Sequence, residues 1–176
     1  GVGVGWLREE FNALNVPFEQ RGARTDEYIQ AMRKLWQEDG ATFKGKFIEF
    51  ESINCNPKPI GKKLPIIIGG HSARAVRRAA RFGDGFFPAT GMQTDVAAIL
   101  DLLQEEMHKI GRDPKDIEIM TGCPEALPGS GHDALKAIKE KQKQGIQKVV
   151  LPLDPFLPDM EPSILRFGEE IIEKTK

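Results

Sequence analysis

The chain has 176 residues, with 25 Lys and Arg against 26 Asp and Glu, so its net charge is close to zero. That balance argues against a nucleic-acid or membrane surface, and no apolar run reaches the roughly 18 residues needed to span a bilayer. An apolar fraction of 40% suffices for the core of one domain, expected to cover residues 1–176.

Gly1 to Gly5 read as the tail of a strand. A short helical turn follows over 6–14 and stops before Pro17. The next helix is expected over 25–38, with Tyr28, Ile29, Met32, Leu35 and Trp36 as its core stripe. Residues 43–47 suggest a tight hairpin, with a strand over 47–50. A Pro-rich connector over 56–65 completes an excursion, residues 40–64, set between two βα units.

Residues 64–69 form a continuous apolar run, the pattern of a strand buried on both faces. A helix over 72–82 places Ala73, Val76, Ala79 and Ala80 on one side. Gly83, Asp84 and Gly85 end it and lead into a strand over 85–88. The next helix starts at Thr94 or Asp95 and runs to Ile110. Its apolar residues Val96, Ile99, Leu100, Leu103, Met107 and Ile110 step by three or four. His108, Glu105 and Glu106 fall on its solvated face. A strand over 117–121, a Gly/Pro-rich loop and a helix over 133–144 come next. The last unit is a strand over 147–153, with Val149, Val150 and Leu151 buried, and a helix over 162–174 with Ile164, Leu165, Ile171 and Ile172 as its core side.

One partial strand and four successive βα units imply five parallel strands with helical crossovers. A closed (β/α)8 barrel needs about 250 residues and rarely fewer than 200. The expected fold class is therefore α/β: an open five-stranded sheet, or the C-terminal portion of a barrel without its first three strands.

The segment with the clearest chemistry is Pro65-Ile66-Ile67-Ile68-Gly69-Gly70-His71-Ser72. A strand ends in two glycines that let a ligand approach the backbone, and Ser72 stands as N-cap of a helix. The first N–H groups of such a helix lack internal partners and sit at the positive end of its dipole, which suits a phosphate. Arg74, in the first turn, can reach the same anion. Arg74, Arg77, Arg78 and Arg81 together read as a solvated basic face with like charges at i and i+4. Thr90 is a candidate for the same mouth.

Competing motifs fit less well. Gly1-Val2-Gly3-Val4-Gly5 fails the dinucleotide pattern because its sixth position is Trp6. No G-x-S-x-G occurs, and Ser72 sits beside His71 rather than facing it from another element. Glu9 and Glu10 suit a helix start. Cys55 and Cys123, with His71, His108 and His132, show no metal-ligand or dithiol spacing, so no metal is expected. Without export or disulfide signals the expected setting is reducing and cytoplasmic.

Three segments resemble the bacterial luciferase-like monooxygenase family, and within it the branch of oxidoreductases using the deazaflavin coenzyme F420. They are Gly1 to Phe11 with Arg21-Gly22-Ala23-Arg24-Thr25-Asp26-Glu27-Tyr28; Phe43 to Phe47 through Pro57-Lys58-Pro59 to Ser72; and Arg78 through Gly83-Asp84-Gly85 to Pro88. The resemblance implies a (β/α)8 barrel, of which this chain would hold about strands four to eight. Strand four would end at Gly5, and strands five to eight would start near Leu64, Asp84, Ile117 and Gln147. Strands one to three would be missing, with the excursion over 40–64 inserted before strand five.

The resemblance also implies a site. The loop after strand five would meet the cofactor phosphate through Gly69, Gly70, His71 and Ser72. The backbone N–H groups and the Ser72 hydroxyl would be the donors. The loop after strand four, Val4, Gly5 and Trp6, would run beside the ring; Arg74, read from its own place in the first turn of the helix, completes the candidate set. The implied activity is hydride transfer between F420 and a small organic substrate, with no catalytic acid or base assigned. An FMN-dependent monooxygenase is the same-class alternative. An inactive barrel fragment, or a subunit that self-associates to cover its open edges, is the non-enzymatic one. A homo-oligomer is the expected assembly.

Overall fold

The structure is a computed structural model and describes residues 1–88 and 95–175. In chain order it builds α1 (Arg8–Ala13), α2 (Arg21–Gln37), β1 (Ala41–Lys44), β2 (Glu49–Ile53), β3 (Ile67–Gly69), α3 (Ala73–Phe82), β4 (Gly85–Phe87), α4 (Val96–Lys109), β5 (Glu118–Gly122), α5 (Ala134–Lys143), β6 (Lys148–Val150) and α6 (Met160–Glu170). Strands β3, β4, β5 and β6 pair in that order, all parallel, as helical crossovers require. Val2 extends this sheet beyond β3. Its N–H donates to the Ile67 carbonyl at 2.8 Å, and its own carbonyl accepts from the Gly69 N–H at 2.9 Å. The α/β class and the parallel order match the expectation. β1 and β2 pair antiparallel as a separate hairpin within the excursion.

The core lies between one face of the sheet and the helices. Ile66, Ile68, Phe86 and Ile119 meet Ile29 of α2, Val76, Ala79 and Ala80 of α3, and Leu103 and Met107 of α4. The strand period of two selects these residues: in β5, Ile119 and Thr121 are buried, while Glu118, Met120 and Gly122 are only partly covered. The other face is the more open one. The run over 64–69 is thus not buried on both faces: Leu64 is exposed, and the strand begins only at Ile67.

The last strand departs further from expectation. Val150 is half exposed and Lys148 exposed, so the run 149–151 is not a buried strand. β6 has a strand neighbour on β5's side alone among the described residues. α6 ends at Glu170 and leaves Ile164, Leu165 and Ile172 exposed. It packs on the turn at Asp154–Phe156, with Phe156 and Phe167 edge to face at 5.5 Å, rather than on the sheet.

α2 starts at Arg21, four residues before the expected start. Its first turn follows a left-handed Gln20 and carries no side-chain cap, the signal on which a start is usually read. Ile29 is buried and Met32 and Trp36 pack against the core, but Tyr28 is exposed. Tyr28 lines a cleft of about 300 Å³ together with Val2, Met32, Leu35 and Ile48. The Glu27 carboxylate fixes the hairpin to α2, accepting from the N–H groups of Lys46, Phe47 and Ile48 at 2.9, 2.7 and 2.8 Å.

Two basic residues close helix ends. Lys58 donates to the carbonyls of Leu35 and Glu38 at 2.8 and 2.6 Å and so caps α2. Arg112 donates to Ala80 at 2.9 Å in the last turn of α3, and to Asp116 at 2.9 Å. Gly83, at the end of α3, and Gly85, the first residue of β4, leave no room for a side chain. A Cβ on Gly83 would lie 2.9 Å from the carbonyl oxygens of Ala79 and Gly85. One on Gly85 would lie 2.5 Å from Ile67 Cδ1 and 3.0 Å from the Glu118 carbonyl. These glycines sit at the N-terminal ends of the strands and serve packing. For the next helix, Asp95 is the N-cap, accepting from Ala98 N–H at 3.1 Å. Thr94, the other candidate start, and Thr90 lie outside the described residues.

Candidate functional site

β3 passes into α3 through Gly70, His71 and Ser72. Gly70 has φ +138°, which strongly favours glycine, and a Cβ there would lie 2.8 Å from the Ala75 Cβ. Ser72 is the N-cap, as its position suggested: its Oγ accepts from the Ala75 N–H at 3.3 Å. The hydroxyl proton remains available to a further acceptor. The N–H groups of His71, Ser72, Ala73 and Arg74 have no acceptor among the described residues and head the helix at its positive end. All four residues are exposed.

Two expected donors are otherwise engaged: the Gly69 N–H donates to the Val2 carbonyl at 2.9 Å, and the Gly70 N–H is likewise taken. The Gly70 N–H donates to the Phe87 carbonyl at 3.1 Å, continuing the β3–β4 ladder. What Gly70 offers a ligand is therefore its missing side chain, not its amide.

The loop after the Val2 strand leaves the same end of the sheet, since Val2 and Ile68 pair in parallel. Val4 is partly covered and Trp6 is 81% exposed. Gly5 has φ +77°, and its carbonyl accepts from Arg21 Nε at 3.0 Å. A Cβ on Gly5 would lie 2.6 Å from the Phe11 ring. The two candidate segments, 4–6 and 69–72, thus follow neighbouring paired segments at one end of the sheet.

The arginines of α3 do not share one environment. Arg74 is exposed and has no ion-pair partner among the described residues. Arg77 pairs with Glu106 of α4 at 3.5 Å, and Glu106 also pairs with Lys109 at 3.0 Å. Glu106 is accordingly mostly covered rather than solvated. The Lys109 hydrogen bond, opposed by partial burial and aided by the charges of Lys109 and Arg77, holds its carboxyl below the usual value. Arg78 is buried, paired with Asp26 and donating to the Gly22 carbonyl at 3.0 Å. The expectation of a solvated face fails for Arg78, because the residue lies on the side of α3 that docks on α2. Charge alone concealed this; its position one residue before buried Ala79 and Ala80 was the available signal.

Comparison with known proteins gives the family and the fold. The sequence profile of the luciferase-like monooxygenase family matches residues 1–145. The chain belongs to that family. A protein of Mycobacterium tuberculosis is 29% identical over 184 aligned positions, covering 99% of this chain and 60% of the relative. The chain thus spans about 60% of the length of the first curated relatives it matches. The FMNH2-dependent dimethylsulfone monooxygenase of Pseudomonas fluorescens is 39% identical over 87 residues, 47% of this chain and 23% of that enzyme. In structure, the chain is similar to the coenzyme F420 dependent tetrahydromethanopterin reductase of Methanopyrus kandleri. The TM-score is 0.74 at 15% identity, over 99% of this chain and 73% of that one. At that identity the likeness concerns the fold.

Proposed function

We propose that the intact protein is an oxidoreductase that binds coenzyme F420, exchanges hydride with a small organic substrate, and holds the cofactor phosphate at the turn between β3 and α3. The observation that carries this reading is the open turn itself. Exposed amides at the start of α3, the Ser72 hydroxyl and a glycine whose Cβ position is blocked by Ala75 form a cradle suited to a phosphate. The donor set fits such a group. His71, Ser72, Ala73 and Arg74 would supply amides, Ser72 its hydroxyl proton, and Arg74 its charge. Gly69 and Gly70 would allow close approach. Val4, Gly5 and Trp6 would flank the ring, with Trp6 giving it an apolar surface. Bound there, the deazaflavin would supply the hydride chemistry, and the chain's part is to orient it and limit water.

In this reading the Val2 segment and β3 to β6 correspond to strands four to eight of a (β/α)8 barrel, with residues 40–64 inserted before strand five. Assembly as a homo-oligomer in a reducing cytoplasm belongs to the same proposal. Titration with F420 and with FMN, followed by ligand fluorescence, tests it. Tighter binding of F420 is expected; no binding of either would sink the cofactor reading. Tighter FMN binding would favour the second reading, a monooxygenase using reduced FMN, which the identity to the dimethylsulfone enzyme supports. A null redox assay with both cofactors would favour an inert or self-associating fragment, which solution mass would then distinguish.

A further inference from the structure

The two candidate loops leave segments that pair directly, Val2 with β3; beyond that pairing, a second tie between them runs through the first turn of α2. Arg21, the first residue of α2, donates from Nε to the Gly5 carbonyl at 3.0 Å. Gly22, the next residue, accepts through its carbonyl from Arg78 Nη2 at 3.0 Å, and Asp26, one turn on, pairs with Arg78 Nε. Arg78 belongs to α3, whose first turn is the proposed phosphate turn.

We infer that Arg78 is a positioning residue, which sets the start of α3, and with it the 70–74 turn, relative to the Gly5–Trp6 loop. The inference rests on the proposal that this turn holds a cofactor phosphate.

The local packing is built for this contact. Arg78 is only 8% exposed, so its guanidinium is removed from water and must be matched by fixed partners. Its Nε and Nη2 each have one, a carboxylate and a backbone carbonyl. Two bonds from a planar guanidinium fix direction as well as distance. Gly22 makes the approach feasible, since a Cβ there would lie 2.9 Å from Arg78 Nη2. The neighbouring arginines of α3 cannot substitute: Arg77 is directed to α4, and Arg74 and Arg81 are exposed. Neither side-chain partner of Arg78 lies in either loop, so its effect on a ligand would pass through the placement of α3.

The test compares ligands that differ only by the phosphate-bearing arm: FMN against riboflavin, and F420 against its phosphate-free deazariboflavin core. The quantity read is the affinity ratio within the pair that binds. The variants are Arg78→Met, Gly22→Ala, which crowds the guanidinium without removing it, and Arg78→Lys as the conservative replacement. In folded variants the preference for the phosphate-bearing ligand should fall about tenfold, the worth of one charge-assisted hydrogen bond. Affinity for the phosphate-free ligand should stay near that of the unmodified chain. Lysine should rescue only part, because it cannot donate in two fixed directions. If Arg78→Met does not fold, Gly22→Ala carries the comparison. An unchanged ratio in the variants overturns the role of Arg78 while leaving the phosphate turn standing. An absent preference in the unmodified chain overturns both.

Discussion

One carboxylate oxygen of Asp84 holds two groups at once: Arg33 Nη2 of α2 and the N–H of Ile66, each at 2.8 Å. Arg33 Nη2 also donates to the Phe82 carbonyl at 2.7 Å. Asp84 therefore ties the start of β4, the approach to β3 and the middle of α2 into one joint. The pair is only about a quarter exposed (27% for Arg33 and 23% for Asp84), so solvent screens it little. Asp84→Ala removes both bonds and leaves Arg33 without its carboxylate. A loss of about 2–3 kcal/mol is expected, read as a lower urea midpoint with an unchanged slope. A change below about 0.5 kcal/mol, the range of ordinary surface substitutions, would refute the joint.

The glycines separate into those that must lack a side chain and those that need not. Gly83→Ala forces a Cβ against two backbone oxygens that cannot turn aside, and overpacking of this kind costs about 1–3 kcal/mol. Gly168, within α6, meets nothing within 4 Å, so Gly168→Ala should stabilise by about 0.5–1 kcal/mol through helix propensity. Thermal unfolding of the two variants should move in opposite directions; a shared direction would contradict the packing.

Ser72 has two separable roles. Ser72→Ala loses the cap, at about 1 kcal/mol. Ser72→Asp keeps an N-cap acceptor and suits the helix dipole, so its stability should stay within about 0.5 kcal/mol of the unmodified protein. If the turn holds a phosphate, the added negative charge should nevertheless abolish the preference for phosphate-bearing ligands. Calorimetry beside ligand titration measures both, and retention of that preference by the Asp variant would remove Ser72 from the site.

Glu27 gives a pH signature. Partial burial pushes its carboxyl up, but the N–H groups of Phe47, Lys46 and Ile48, with the Lys46 charge, outweigh this and hold it below its ordinary value of 4.5. A carboxyl lowered on folding contributes stability that is full above its unfolded value and is lost as pH falls through the folded value. The gap in urea midpoint between the unmodified chain and Glu27→Gln should thus be widest near neutral pH and close in acid below 4.5. A gap that does not change with pH would mean that charge is not what fastens the hairpin.

Features read correctly from the sequence were those carried by local chemistry. Ser72 caps α3 as read, because a short oxygen-bearing side chain reaches an amide three residues on. Asp95 and Asp133, read only as helix starts, cap their helices in the same way. The parallel order of β3 to β6 followed from alternating strand and helix periods. What escaped depends on distant partners. The sequence around Arg78 looks basic and solvated, and only the docking of α3 on α2 reveals Asp26 and Gly22 as its partners. Val150 is apolar enough for a core, but burial needs a covering neighbour, and apolarity cannot announce one. The Gly70 amide looked available until the β3–β4 register assigned it to Phe87.

Arg112 gives α3 an asymmetry that bears on any anion at its other end. A helix of 10 residues, about 15 Å long, carries opposite partial charges at its two ends. The Arg112 guanidinium sits on the last-turn carbonyl of Ala80 and screens the negative end. To an approaching anion, α3 therefore resembles a lone positive point rather than a dipole, and its pull weakens more gradually with distance. In the proposed phosphate site, Arg112, together with Arg33 on the Phe82 carbonyl, would thereby widen the capture range of the opposite end.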